Sequence, residues 1–273
     1  MISLPSILAS ASWLPVALAV AATVAYIAPA TAVRRLGPQA MRRSMMAAWL
    51  LHGLVLAFSL LGTSPHFGFA PALSVTAWLV AAVYTVESHV YPQLETRWAF
   101  SALGAVAVIL ALLFPGQPLH AAASPWLPLH WALGIASYGL FAAAAAHAWL
   151  MNRTEERIRL AADPHSGLPL LTIERLTFRF VSAGFVLLSA TLLVGILFGE
   201  SLYGTTGAHW KWDHKTVFSV LSWLTFAILL IGRARFGWRG RRAARILYIG
   251  SGLLLLAYVG SRFVIEIILG RST

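Results

Sequence analysis

Eight apolar stretches, separated by short polar connections, limit this chain more than any motif in it. They lie near residues 13 to 32, 45 to 62, 71 to 88, 98 to 114, 129 to 150, 179 to 199, 215 to 232 and 245 to 268. Each approaches the roughly 20 residues that a helix needs to cross a hydrocarbon core of about 30 Å. In lipid the backbone has to satisfy its own hydrogen bonds, which leaves helices or closed barrels, and these runs lack the alternating pattern of barrel strands. Only 11% of the 273 residues are charged, against about a quarter in soluble domains. The expected fold is an all-α integral membrane protein, a single transmembrane domain over 1–273 built as a bundle of eight transmembrane helices. Residues 1 to 12 carry no Lys or Arg, so they lack the charged start of a secretory signal and the run from Trp13 counts as the first span.

Arginine placement predicts the orientation. The connections after the first, third, fifth and seventh spans, with their flanks, hold sixteen of the twenty Lys and Arg residues, and four lie elsewhere. Basic residues stay on the cytoplasmic side of a membrane, so both termini are expected on the outer, periplasmic side of a bacterial inner (plasma) membrane. The net charge of +11 is spread over short loops and forms no continuous basic face, which argues against nucleic acid as a partner. Membrane lipid is the expected surrounding. With no cysteine in the chain, there is no disulfide, no zinc–thiolate site and no thioether link to haem.

The outward connection before the seventh span carries a polar, aromatic island, Gly207-Ala208-His209-Trp210-Lys211-Trp212-Asp213-His214-Lys215. Its indoles have a plain explanation, because amphipathic rings collect at headgroup level. Asp213 stands where an N-cap of the seventh span belongs. His66, His120, His130, His209 and His214 all fall on or near the outward face, with His130 at the start of span five. His66, His120 and His165 read as solvated loop residues, and His147 as a cytoplasmic interfacial one. The small residues Gly134, Ala136, Ser137, Gly139 and Ala142 to Ala146 suit close helix packing. His52 falls about nine residues into span two, roughly 13 Å deep. An imidazole at that depth is either satisfied by hydrogen bonds inside the bundle or a metal ligand. Arg262 and Glu266 have the spacing of a local i,i+4 salt bridge.

Trp210-Lys211-Trp212-Asp213, with Trp223 in the following span, resembles the tryptophan-rich segment of the cytochrome c assembly family that includes CcsA, CcmC and HemX. Leu129-His130-Trp131 leading to Ser137-Tyr138 resembles the histidine-led helix that precedes it. Ile173-Glu174-Arg175, the run Gly237 to Arg242, and Ala257 to Arg262 point to the YpjD-type branch. The resemblance covers spans five to eight, residues 129–273 with the loop 200–214; over 1–128 it rests on hydropathy and the placement of His52. It implies noncovalent haem b near the outer face, with His130 and His52 as candidate iron ligands and Trp210, Trp212, His209 and His214 as further haem-contacting residues. It also implies haem-delivery or cytochrome c maturation proteins as partners. The chain departs from the family at Thr206, where a leading tryptophan belongs, and after span eight, where Leu269-Gly270-Arg271 replaces the expected histidine. A second ligand would come from His209, His214, His66 or His120; otherwise the iron is five-coordinate or this branch has lost haem delivery.

Three readings follow. The first is a haem-binding protein of cytochrome c assembly or haem trafficking. The second is a HemX-like regulator or scaffold acting through the loop Met151 to Phe178. The third, a small-solute or ion transporter, lacks the internal repeat and paired broken spans such proteins carry. No nucleophile and base pairing or phosphate loop marks an enzyme.

Overall fold

The computed structural model describes residues 13–31, 37–61, 66–90, 97–118, 126–159, 170–198 and 213–268. Among these, eight long helices run in the order read from the hydropathy: α1 Trp13–Thr31, α2 Pro38–Leu61, α3 Phe69–Val90, α4 Arg97–Leu113, α5 Trp126–Arg159, α6 Leu170–Leu197, α7 His214–Phe236 and α8 Gly240–Leu255. Five helical stretches are long and apolar enough to cross a membrane, in α2, α5, α6, α7 and α8 with its extension, while α1, α3 and α4 carry shorter apolar segments. Helical backbone extends α8 through a π-helical turn Leu256–Gly260, then Ser261–Phe263, then a second π-helical stretch Val264–Ile268.

Two helices are longer than their apolar runs. α5 continues to Arg159 and α6 starts at Leu170, because hydropathy marks where lipid ends, whereas a helix continues while its backbone bonds and tertiary contacts hold. His147 is buried against α6, with Nδ1 2.7 Å from the carbonyl of Ala143 and its ring 5.3 Å from that of Phe180.

The contacts divide the chain into two compact units, one holding α1 to α4 and the other α5 to α8. In the first, α1 packs on α2 and α4, and α3 packs on α2 and α4. Gly104 permits the close approach of α4 to α1: a Cβ there would lie 2.6 Å from Cζ of the buried Tyr26. α2 and α3 are joined by a reciprocal tryptophan pair. Trp49 donates its indole N–H to the carbonyl of Trp78 at 3.2 Å, Trp78 donates to that of Trp49 at 3.0 Å, and the rings stack 5.1 Å apart. Two short strands, β1 His66–Phe67 and β2 Gln117–Pro118, pair antiparallel.

In the second unit α5 packs along α6, and α7 and α8 pack on each other and on that pair. The small residues of α5 account for the close fit: Ala143, Ala144 and Ala148 are buried, and Gly134 faces Thr191. The centre is Phe141 stacked on Phe226, rings parallel within 1° and centroids 3.7 Å apart. Gly184 of α6 backs the first ring and Gly250 of α8 the second; a Cβ at either would approach a ring carbon to 3.1 Å or 2.8 Å. Ser222, one turn before Phe226, donates to the carbonyl of Gly250 at 2.9 Å.

Over-packing a filled core costs about 1–3 kcal/mol. Gly184→Val and Gly250→Val should therefore each lower the thermal midpoint of detergent-purified protein. Gly252→Ala, whose Cβ meets nothing within 4 Å, should leave it unchanged. Equal effects at all three sites would refute the packing assignment.

Candidate functional site

Within the second unit, the start of α5, the end of α6, the start of α7 and the end of the extended α8 gather at one end. His130 is the fifth residue of α5. Its ring lies against α6, where a Cβ on Gly195 would touch His130 Cε1 at 3.5 Å and Nδ1 at 4.0 Å. Nδ1 is buried without a hydrogen-bond partner among the described residues. The polar group acting on the ring is the backbone of Thr191. An Nδ1–H turned towards that carbonyl would leave the lone pair on Nε2, the tautomer that metal-binding imidazoles hold through their second nitrogen.

The start of α7 is fixed by Asp213, which caps the helix as expected: its Oδ1 accepts from the Thr216 N–H at 2.8 Å. Burial pushes the Asp213 carboxyl up, but the bonds from Thr216 and the charges of Lys215 and His214 outweigh it and hold the group below its ordinary value. Lys215 lies near enough to Arg262 for mutual repulsion, with Asp213 opposing it. Cations from two helices thus share this end of the unit. His214 is exposed in the first turn of α7. His209, Trp210 and Trp212 lie outside the described residues, as does His120, and so does the Glu266 side chain expected to pair with Arg262. His66 sits half-buried in β1, in the first unit.

His52 is fully buried in the first unit, at 0% exposure. Its Nδ1 is 3.2 Å from the Tyr26 hydroxyl and its Nε2 2.8 Å from Ser74 Oγ, with the Tyr26 ring edge-on at 5.7 Å. A neutral imidazole donates from one nitrogen and accepts at the other, and each hydroxyl can do either, so all three groups are satisfied in either tautomer. Of the two possibilities open for a deep histidine, this arrangement is the hydrogen-bonded one; ligation through either nitrogen would displace a hydroxyl.

Two features escaped the sequence. Glu174 is buried near the start of α6 and takes Arg233 at 2.6 Å and Arg239 at 3.7 Å, tying α6 to α7 and to the turn before α8. Arg233 also lies over the Phe178 ring at 3.7 Å. The hint was a lone acid among arginines. Tyr138 donates its hydroxyl to the carbonyl of Leu254, just ahead of the π-helical turn in α8. No periodicity signals that bond.

The family profile described as Cytochrome C assembly protein matches residues 39–269. An uncharacterized 28.8 kDa protein of Azospirillum brasilense is 33% identical over 217 residues, 75% of this chain and 78% of that one. Inner membrane protein YpjD of Escherichia coli is 31% identical over 172 residues, covering 61% and 63%. Cytochrome c biogenesis protein CcsA of Prochlorococcus marinus is 26% identical over 227 residues, covering 79% and 68%. No solved structure matches the chain. This is a multi-pass helical protein of the bacterial inner membrane. It belongs to the cytochrome c assembly protein family, alongside its YpjD-like members.

Two outcomes test these local assignments. His52→Ala leaves the Tyr26 and Ser74 hydroxyls buried without their partner, at about 1–3 kcal/mol for each unsatisfied group, and should lower the thermal midpoint more than Ser74→Ala does. A midpoint equal to wild type would show that the three groups are not coupled. The cap at Asp213 should stabilise α7 fully above the ordinary carboxylate range and fade as pH falls through its lowered value. Asp213→Asn should preserve much of the cap where Asp213→Ala does not, read as amide exchange at the start of α7.

Proposed function

We propose that this protein holds haem noncovalently near the outer face of the inner membrane and serves cytochrome c assembly or haem trafficking, with His130 as the residue that would hold the iron. The observation that carries this reading is His130 itself: an imidazole at the end of a spanning helix, with Nδ1 buried against α6 near the Thr191 backbone and without a partner of its own. Membership of the cytochrome c assembly family supports it. In this reading all eight helices span, both termini lie outside, and the arginine-rich connections face the cytoplasm.

The donor set suits the group. Haem b presents an apolar macrocycle, two carboxylates and an iron that takes neutral imidazole, and supplies redox-active iron when bound. His130 would offer Nε2 to the iron, with its ring beside the Thr191 backbone. Trp210 and Trp212 provide aromatic faces, Lys215 and Arg262 attract the carboxylates, and His209 or His214 supplies a second imidazole. His52 is a second candidate ligand, at the cost of one of its hydrogen bonds. Without cysteine the protein forms no thioether and can release what it holds. Partners are proteins that deliver haem or attach it to apocytochrome.

Protein purified from haem-replete cells should show a Soret band that shifts on reduction. His130→Ala should weaken or shift it, with partial recovery on adding imidazole, while Gly195→Leu should perturb it by crowding the same ring. A flat visible spectrum from haem-replete cells would refute the reading.

A further inference from the structure

α7 and the extended α8 are both long and apolar enough to cross a membrane, so the turn between them lies at a membrane surface whichever way the chain is oriented. Gly237 and Gly240 both take positive φ, 63° and 57°, which closes the connection within a few residues. Arg235, Arg239, Arg241, Arg242 and Arg245 are all exposed around it. The carboxylate that faces them is Glu174, and it is engaged more closely by Arg233, at 2.6 Å, than by Arg239, at 3.7 Å. The guanidinium groups are therefore gathered in excess of the acid that the described fold supplies.

The same turn carries an apolar half. Trp238 lies over Gly232, where any Cβ would collide with the indole, and Arg242 stands 4.0 Å from the ring centroid. Phe236 stacks on Trp238 with centroids 6.2 Å apart and is 72% exposed. Exposed guanidinium groups, one of them stacked on Trp238, beside an exposed aromatic edge match a molecule with a phosphate at one end and hydrocarbon at the other. Arginine's fork suits phosphate oxygens, and basic residues bordering spanning helices attract anionic headgroups.

We propose that the α7–α8 turn is a binding site for the phosphate of an anionic phospholipid, formed by Arg239, Arg242 and Arg245 with Trp238 and Phe236 against the lipid's apolar part. The site is independent of haem binding. A purely topological role for these arginines needs only their positive charge and predicts no selective, localised retention of lipid.

The test is native mass spectrometry of the detergent-purified full chain with added phosphatidylglycerol or phosphatidylcholine. Each basic residue near an anionic surface is worth on the order of fivefold in binding. Wild type should therefore retain phosphatidylglycerol at least about tenfold more strongly than phosphatidylcholine. Arg239→Gln/Arg242→Gln/Arg245→Gln should abolish that preference. The charge-matched Arg43→Gln/Arg153→Gln/Arg179→Gln, at three other exposed arginines, should keep it. Equal retention of the two lipids by wild type overturns the proposal, and this arm stands even if the first variant fails to fold. Equal loss in both triple variants overturns it in favour of diffuse charge. Displacement of phosphatidylglycerol by millimolar inorganic phosphate overturns it in favour of a free-anion site.

Discussion

The stack of Phe141 on Phe226 is the contact on which the second unit depends. Each ring comes from a different helix and is backed by a glycine from a third and a fourth. In lipid, apolar surface alone gives helices little reason to prefer one another over acyl chains, so association depends on close packing and specific hydrogen bonds. A parallel ring pair held between two missing side chains provides the packing. Ser222, bonded to the carbonyl of Gly250, adds a hydrogen bond at the same level. Both ends of the unit, with His130 and Lys215 at one and Glu174 and Arg233 at the other, are positioned from this layer.

Most polar groups within the described helices find a partner inside the protein. His52 is held between two hydroxyls, Trp49 and Trp78 exchange indole donors and backbone carbonyls, and Trp223 donates to Ser189 at 2.8 Å. Glu174 is neutralised by arginines arriving from the end of α7 and the turn beyond it. The buried Nδ1 of His130 is an exception, as are a few other buried side-chain atoms such as Ser251 Oγ.

The helices were legible because crossing a hydrocarbon core demands a long apolar run, and such runs survive any detail of packing. Asp213 was legible as a cap because the signal is local, one carboxylate three residues ahead of a free N–H. The small residues of α5 were legible as a packing face for the same reason. The burial of His147 was not: depth along one helix says how far a residue lies from the helix end, but not whether a neighbouring helix covers it. Glu174 was missed because its arginines lie 59 residues or more further along the chain. The choice between a satisfied and a ligating His52 stayed open in the sequence because Tyr26 and Ser74 come from other helices.

By itself the sequence determined that this chain is a helical membrane protein, with eight apolar runs in a fixed order, a cysteine-free interior and a tryptophan-rich segment like that of the cytochrome c assembly family. Those properties depend on composition and spacing along one strand of chain. Only the tertiary structure decided which glycine faces which ring, which hydroxyls occupy His52, and which wall His130 rests against. Each of those is a contact between helices, set by where side chains meet across an interface, and no period within a single helix records what stands opposite it.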